Sequence, residues 1–545
     1  MNMTARRFGF AGAGIGNPAS DRLPLADRVP AKILAMQAEA APERPFVHVD
    51  GRWVSYGEAS ARANRAANVL LKLGAKKGMR IALIMRNRLE FLDLWFGLAR
   101  IGAIQVPLNP EYKAPQIGQV LKRAPVNFIV AEAEFLNEVS PALDALVDQP
   151  TVVTLGEKQC GSSRFDYLDL FASASEYLPD DIAGAHGADI AAVMNTSGTT
   201  GPSKGVLLPH AAQYVLGRNI SAAMGLGPND TFYNFFPLFH NTSQAMITVA
   251  VLLQGARMVL TERFSASRFW SEVREHQCTA FYYIGEIVHI LLKSTTLEDA
   301  AGSTLRVGWG IGASDTDFKK FQQQFGVVMG TGYGSTEANV PCYLPHGSDR
   351  IQCAGRPIPG FEVRIADEYC QPVPAGTPGE ILVRADEPYS MMIGYDGDPV
   401  ATNVACHQLW FHTGDAAVMD SDGYVYFKGR VKDAIRVRGE NISAFEVEQA
   451  LSDLPGVAEV VAIAVPSNIG GDDLKVVIVL KDGAKICEED IVAHARVCLP
   501  RYSIPRYIEF VSCLPKTPTN KVQKHVLRST PFTPTTWDRV QSGGQ

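Results

Sequence analysis

Short apolar runs alternate with longer amphipathic stretches along the first third of the chain. Tyr56 to Leu73 is Ala-rich, with apolar positions near a 3.6-residue period, and predicts a helix that stops at Gly74. Arg80 to Met85 reads as a short buried strand, Glu90 to Ile101 as a helix and Ala103 to Leu108 as another strand. The strand pattern returns at Phe128 to Ala131 and at Val152 to Leu155. Short strands alternating with helices predict α/β layers around a mainly parallel sheet. From about Gly360 to Val383 the pattern changes: Phe361 to Ile365 and Glu380 to Val383 are β-like and separated by Asp, Pro and Gly turns, as in a small β-rich unit. Beyond Gly429 comes the charged run Arg430-Val431-Lys432-Asp433 and then a region of about 110 residues. There Glu446 to Leu451 reads as helix, and Glu459 to Val465 and Leu474 to Leu480 as strands. The expected organisation is a large α/β part, residues 1–431, and a small α+β part, residues 432–545.

The 545 residues are too many for one small core, and 46% hydrophobic with 20% charged residues excludes a disordered chain, a collagen-like repeat or a rod. Lys plus Arg number 51 and Asp plus Glu 57, a formal net charge of −6, so the broad basic surface that nucleic-acid binding needs is missing. Nine scattered cysteines with no CxxC pair predict neither a disulfide framework nor a zinc site, and suit reduced thiols in the cytosol. The longest apolar run, Ala245 to Leu253, ends at Gln254 and is too short to span a bilayer. The start, Arg6-Arg7-Phe8-Gly9-Phe10, shares an arginine pair with twin-arginine signals but lacks their apolar segment, and is read as a frayed tail.

The stretch Met194-Asn195-Thr196-Ser197-Gly198-Thr199-Thr200-Gly201-Pro202-Ser203-Lys204-Gly205 carries the most chemistry. It joins a predicted strand, Ile190 to Met194, to the apolar Val206-Leu207-Leu208. Glycines let the backbone turn its N–H groups inward, hydroxyls add donors and Lys204 supplies charge, a combination suited to a nucleotide polyphosphate. It is not a Walker A loop, because Lys204 precedes a glycine rather than Ser or Thr.

The order [ST]-S-G-T-T-G-x-x-K-G resembles the signature of the adenylate-forming superfamily, which includes acyl-CoA synthetases, peptide-synthetase adenylation domains and beetle luciferases. Further elements recur in register along most of the chain. Tyr333-Gly334-Ser335-Thr336-Glu337 resembles the family's Y-G-x-T-E element, which implies that Thr336 contacts the α-phosphate side of ATP and that Glu337, with Thr200 of the loop, serves Mg²⁺. A hard cation of that kind takes oxygen ligands. Gly310-Ile311-Gly312-Ala313-Ser314 resembles the adenine-lining segment. His412-Thr413-Gly414-Asp415 matches the T-G-D element, implying that Asp415 accepts from the ribose hydroxyls, and Arg430 matches the arginine aimed at the same ribose. Lys432 falls at the family's hinge between large and small domains.

Two segments beyond that hinge matter by resemblance. Arg438-Gly439-Glu440-Asn441-Ile442-Ser443 matches the small-domain loop where a glycine lets the pantetheine arm pass, a role that falls to Gly439; Ser443 and Glu446 also form a candidate capping box. Leu514-Pro515-Lys516-Thr517-Pro518-Thr519-Asn520-Lys521 resembles the element whose lysine is catalytic, here Lys521, with Asn520 where relatives carry Gly. Asn tolerates positive φ next best after Gly, so the loop shape is expected to survive.

For the acyl side, Phe236-Pro237-Leu238-Phe239-His240-Asn241 matches the segment ahead of the carboxylate pocket, with His240 as gate and Asn241 beside it. Phe281 to Glu286 and Phe264 to Trp270 resemble segments of fatty-acid-transport-type and carnitine-type ligases. Tyr283, Ile284, Gly285 and Gly308 are expected to line an apolar pocket suited to a fatty or aryl-alkanoic acid. A carnitine-like acid is the alternative; its quaternary ammonium needs an aromatic or acidic cradle, for which Tyr282, Tyr283 and Glu286 are the candidates.

The resemblance thus implies an ATP-dependent acid–CoA ligase acting on a small-molecule carboxylic acid through an acyl-AMP, with Mg²⁺ and coenzyme A, in the cytoplasm, and with a homodimer as an allowed assembly. Two other readings stay open: a degenerate member that binds nucleotide without turnover, and a P-loop phosphotransferase, which would leave ADP.

Overall fold

The computed structural model describes residues 22–144, 146–156, 165–196, 204–348, 350, 353–431, 434–437, 440–467, 472–516 and 522–541. The alternating pattern of the first third folds as expected: the helix Tyr56–Lys72 starts at Ser55, whose hydroxyl accepts the Glu58 N–H at 3.2 Å, and ends before Gly74 at φ +92°. Arg80–Ile84, Ile104–Leu108, Phe128–Glu132 and Thr151–Leu155 are parallel neighbours in an eight-stranded sheet. Ile190–Thr196 extends it in parallel beside Ile104–Leu108, and Lys204–Pro209 turns back antiparallel.

A second sheet of nine strands supplies the scaffold for most of the site. Pro45–Val49, Arg257–Leu260, Thr231–Asn234, Ala280–Ile284, Val307–Ile311 and Val328–Ser335 run parallel, Asn339–Leu344 follows antiparallel, and Arg356–Pro357 and Arg52–Ser55 form the two edges. These strands are apolar on both faces because helices cover both. The largest hydrophobic core runs through both sheets and takes in the helices Leu89–Ile101 and His210–Met224. The apolar run from Ala245 lies in that interior too, so its hydrophobicity is a core signal; no described helix is long and apolar enough to cross a membrane.

That run contains one element the periodicity did not predict. Thr242–Thr248 is a π-helix leading into the α-helix Val249–Gln254. Its polar side chains are buried and bonded: Gln244 donates to the Leu238 carbonyl at 2.6 Å and pairs with Gln105 of the first sheet, while Thr248 donates to the Ser243 carbonyl at 2.8 Å. Wide π turns occur often at functional sites.

The β-rich unit is a five-stranded antiparallel sheet built from Phe361–Ala366, Gly379–Ala385, Trp410–Met419, Cys406–His407 and Val425–Arg430. The C-terminal part holds the hairpin Ala434–Val437 and Glu440–Ser443, the helix Ala444–Ser452, and a four-stranded sheet of Val457–Pro466, Asp472–Leu480, Tyr507–Phe510 and Trp537–Asp538. It has its own core, around Ile435, Val447, Val476 and Ile508. The helix begins directly after Ser443, as the capping signal implied; the Ser443 side chain lies outside the described ones, and Glu446 is ion-paired with Lys428 at 2.8 Å.

Candidate active site

The parallel strands of the second sheet all deliver their carboxyl ends to one edge, the place where open α/β sheets hold ligands. Phe236 to Asn241 follow Thr231–Asn234, Gly285 and Glu286 follow Ala280–Ile284, Gly312 to Ser314 follow Val307–Ile311, and Thr336 and Glu337 follow Val328–Ser335. The expected site residues on these strand ends therefore share one edge for a topological reason.

The antiparallel sheet adds Asp415. Its strand places it directly opposite Arg430, whose Nε lies 2.9 Å from Oδ1. Tyr333 donates its hydroxyl to Oδ2 at 2.6 Å, and the Asp415 N–H donates to the Thr413 hydroxyl at 3.1 Å. Gly414 bends the strand at φ +70°, a conformation that a β-branched residue would resist. Asp415 is only 6% exposed, so its charge is held by these partners rather than by water. Burial, followed by the neighbouring Asp415 charge, pushes the Tyr333 phenol well above its ordinary range, which keeps it a donor. A carboxylate offers about four acceptor directions, so oxygens bonded in this way can still receive a diol.

Glu337 sits on the tight turn between Val328–Ser335 and Asn339–Leu344. The Ser335 hydroxyl accepts the Ala338 N–H at 3.1 Å, and Asn339, at φ +65°, donates its side chain to the carbonyls of Ala212 and Ser390. Thr336 and Gly334 share the turn. The Glu337 carboxylate accepts from the Tyr395 hydroxyl at 3.2 Å, and the Lys204 ammonium lies 4.4 Å from the centre of the Tyr395 ring. Tyr395 thus ties the exit of the glycine loop to Glu337 through a cation–π contact and a hydrogen bond. No motif pointed to Tyr395; its strand, Gly394–Tyr395, pairs with Lys204–Pro209, and only that pairing reveals it. Thr196 donates to the Lys204 carbonyl at 3.3 Å, across the base of the loop. Ser197, Gly198, Thr199, Thr200 and Gly201 lie outside the described residues, as do Lys432, Gly439 and Lys521.

In the segment expected to line the adenine, Gly312 adopts φ +80° and Ser314 caps the helix Asp315–Phe325, its hydroxyl accepting the Asp317 N–H at 3.1 Å. Ala313 is half-buried between them. A Cβ on Gly285 would collide with the Gly312 carbonyl, so the two turns meet backbone to backbone.

Two residues expected to line the pocket, Tyr283 and Gly308, sit in packed surroundings. Tyr283 is 0% exposed, packed among Phe281, Phe269 and Phe321, and its hydroxyl donates to the Gly330 carbonyl at 2.8 Å. Gly308 is pressed against the Phe281 ring and the Met329 sulfur. Both build the packed sheet behind the edge. Tyr282 is buried as well, and Glu286 is ion-paired with Lys516 at 3.4 Å.

His240 accepts the Thr242 N–H on Nδ1 at 3.2 Å, a bond that assigns the ring proton to Nε2 in the neutral form. Asn241 is buried, and its Oδ1 has no partner among the described residues. Asn87, which sequence reasoning missed, fixes this loop: it accepts the Leu238 N–H at 2.7 Å and donates to the carbonyls of Phe236 and Thr261. A cleft of about 810 Å³ opens beside it, lined by Pro237, Phe239, Arg86, Arg263, Glu134 and Glu262 among others.

Comparison with known proteins gives the family. Residues 34–396 match the AMP-binding enzyme family and residues 446–521 the AMP-binding enzyme C-terminal domain. The crotonobetaine/carnitine–CoA ligase of Proteus mirabilis (strain HI4320) is 30% identical over 485 residues, covering 87% of this chain and 93% of that protein. ATP-bound MatB from Rhodopseudomonas palustris superimposes with a TM-score of 0.83 at 27% identity, over 92% of this chain and 98% of that one. The anthranilate CoA ligase AuaEII with anthranoyl-AMP gives 0.86 at 26% identity, over 93% and 98%. The chain belongs to the AMP-binding enzyme family, within the adenylate-forming superfamily. More narrowly, it is an AMP-forming acyl-CoA synthetase, an acid–CoA ligase that uses ATP and coenzyme A.

Proposed function

We propose that the acid is apolar, a fatty or aryl-alkanoic acid. One observation carries this: the aromatic cradle that a quaternary ammonium would need is built into the sheet. Tyr282 and Tyr283 are buried in the sheet and Glu286 is ion-paired with Lys516. What remains half-exposed at the strand ends is Ile284, directly opposite Ile311, with Phe236 and Phe239 nearby. The relatives named crotonobetaine/carnitine–CoA ligase favour a second reading, a betaine-type acid. Pyrophosphate release with ATP, Mg²⁺ and a panel of acids decides between them. Fatty and aryl acids should be turned over and carnitine and crotonobetaine should not; turnover confined to the betaines would reverse the assignment.

The roles of the individual residues belong to the same proposal. Asp415 and Arg430 take the ribose, Gly312, Ala313 and Ser314 the adenine, and the loop from Thr196 to Lys204 the phosphates. The carboxylate attacks the α-phosphate, and charge develops on the phosphate oxygens; Lys204, Thr336 and Lys521 supply positive charge and donors where it builds. Glu337 has the chemistry for Mg²⁺, an oxygen ligand held at the turn beside Lys204; with Thr200 it would hold the ion, which when bound neutralises phosphate charge. In the second half-reaction the CoA thiol attacks the acyl carbonyl and AMP leaves, with the thiol arm passing Gly439 and His240 gating the acyl end.

The reading divides the chain at Lys432 into a large domain and a mobile small one, so that Lys521 serves the first step and Gly439 the second. It is supported by the described residues that flank the small domain's loops. Lys516 bridges Glu286 of the large part and Glu459 of the small part, at 3.4 and 2.8 Å, and Phe427 meets Phe445 edge to face. The contacts combine ion pairs with one edge-to-face ring contact, which a domain rotation could exchange for others.

A further inference from the structure

The scattered cysteines predicted no zinc site, yet the fold brings one of them to two histidines. Cys370 lies on the turn after Phe361–Ala366, His407 on the short strand Cys406–His407, and His412 on Trp410–Met419. Cys370 Sγ is 3.7 Å from His412 Nε2 and 4.0 Å from His407 Nε2. One ligand atom from each residue falls within 4.8 Å of the others. A tetrahedral zinc with Zn–S of about 2.3 Å and Zn–N of about 2.0 Å separates S from N by about 3.5 Å, close to the observed distances, so rotation of one imidazole would close the set.

The surroundings prepare each ligand. The His412 Nδ1–H points to the Glu380 carboxylate at 3.0 Å, and the His407 Nδ1–H points to the Val404 carbonyl at 3.0 Å. A carbonyl or carboxylate oxygen can only accept, so each Nδ1 carries its proton and each Nε2 presents a lone pair toward Cys370. Metal-bound histidines are oriented by this kind of partner. The two rings stack at 3.5 Å with 9° between planes, so one ring must turn out of the stack for both Nε2 lone pairs to meet one ion. Cys370 itself is held at φ +63°, where glycine or asparagine is the usual occupant, by a turn in which its N–H donates to the Asp367 carbonyl. Arg364 donates to the Cys370 carbonyl at 3.3 Å and so holds the turn.

We propose that Cys370, His407 and His412 form a zinc site on the β-rich unit, with the fourth position open to water. Binding joins Zn²⁺ to Sγ and releases the thiol proton to solvent. The site is separate from the Glu337 position and differs from it in ligand chemistry: a thiolate and two imidazoles select a borderline-soft cation over Mg²⁺. It also adjoins the nucleotide corner. Glu380 holds His412 with one oxygen and accepts the Gly414 N–H with the other at 2.9 Å, so a bound zinc would brace the turn that presents Asp415.

The test uses the full chain, stripped with chelator, reloaded with Zn²⁺ and desalted, with retained zinc measured by atomic emission. The wild type should retain about one zinc per chain. Cobalt in its place should give thiolate-to-cobalt charge-transfer absorption in the near ultraviolet. Cys370→Gly keeps the backbone conformation and removes the thiol, so it should fold at least as well, retain no zinc and show no such band. His407→Ala should lose the metal too, and Glu380→Gln should weaken it by about tenfold. Zinc should raise the melting temperature of the wild type and leave that of Cys370→Gly unchanged. No zinc retained by the wild type, or equal retention by Cys370→Gly, would overturn the proposal and leave an S–H···N hydrogen bond to His412 as the role of the thiol.

Discussion

The corner around Asp415 at the site edge and the packed wall around Tyr283 behind that edge are built by opposite means. At Asp415, polar groups from three strands meet: Tyr333, Arg430 and Thr413 each bond the carboxylate or its backbone. At Tyr283, aromatic rings and glycines meet, and the one hydroxyl is consumed by the Gly330 carbonyl. A buried carboxylate without partners would be very costly, so the corner tolerates few substitutions. An apolar wall needs only volume, and many residue sets fill the same space. Chemistry therefore leaves a motif, and shape does not.

The test with the largest expected effect addresses the two ends of the small domain. Lys521→Ala should lower acyl-AMP formation by about 10²- to 10³-fold, the usual cost of losing a group aimed at transition-state charge. It should largely spare thioester formation from supplied acyl-AMP. Gly439→Leu should do the reverse by obstructing the thiol arm. Pyrophosphate release without CoA, and thioester formation from acyl-AMP, are the two readouts. Equal loss of both half-reactions in both folded variants would favour a single fixed site over a rotating domain.

Next in size is the nucleotide corner. Asp415→Ala should raise the apparent KM for ATP by about 10- to 100-fold, in line with about 1.5–3 kcal/mol for a hydrogen bond to a charged group. Tyr333→Phe removes one donor to the same carboxylate and should cost about 1 kcal/mol. An unchanged apparent affinity for ATP in folded Asp415→Ala would detach this corner from the nucleotide.

A third test concerns pH. His210 starts the helix after Lys204–Pro209, is buried, and has neither ring nitrogen bonded among the described residues. Burial lowers its pKa to about 3. Below its ordinary value of 6.5 the unfolded chain takes up a proton that the folded chain refuses, so stability should fall as pH drops from 6.5 toward 3. The slope from this residue is at most about 1.4 kcal/mol per pH unit. Urea midpoints at pH 7, 6 and 5 should fall less steeply in His210→Leu than in the wild type; parallel slopes would mean that His210 is not the group responsible.

How much of this was legible beforehand follows the same division. The alternating elements of the first third, the β-rich unit and the C-terminal strands lie within a few residues of where periodicity put them, because each buries one face or both. The glycine loop, Glu337, Asp415 and Arg430 stood out in the sequence because each falls in a motif whose residue types suit a nucleotide. Tyr395, Asn87 and Glu380 were not: each acts through a partner far away in sequence, brought near only by strand pairing or loop packing. The π-helix at Thr242–Thr248 was hidden because its polar residues read as surface, whereas Gln244 finds Gln105 across the core. Cys370, His407 and His412 show no motif, since their spacing belongs to a turn and two strands of one sheet rather than to a single loop.

The smallest expected effect is the most discriminating for the acyl wall. Tyr283→Phe removes only the hydroxyl that donates to Gly330 and leaves the ring among Phe281, Phe269 and Phe321. If Tyr283 is interior, the variant should lose about 1 kcal/mol of stability, the net worth of one buried hydrogen bond, some of it as the price of an unsatisfied carbonyl. The KM for the acid should stay within about twofold, because no ligand atom would touch the changed position. If the tyrosine instead lined the acyl pocket, removing a polar group from an apolar site would improve the KM for a fatty acid while leaving stability nearly unchanged. Urea midpoints together with acid titrations at saturating ATP separate the two outcomes. A changed KM with unchanged stability would return Tyr283 to the pocket wall, and with it reopen the aromatic cradle on which a betaine-type substrate depends.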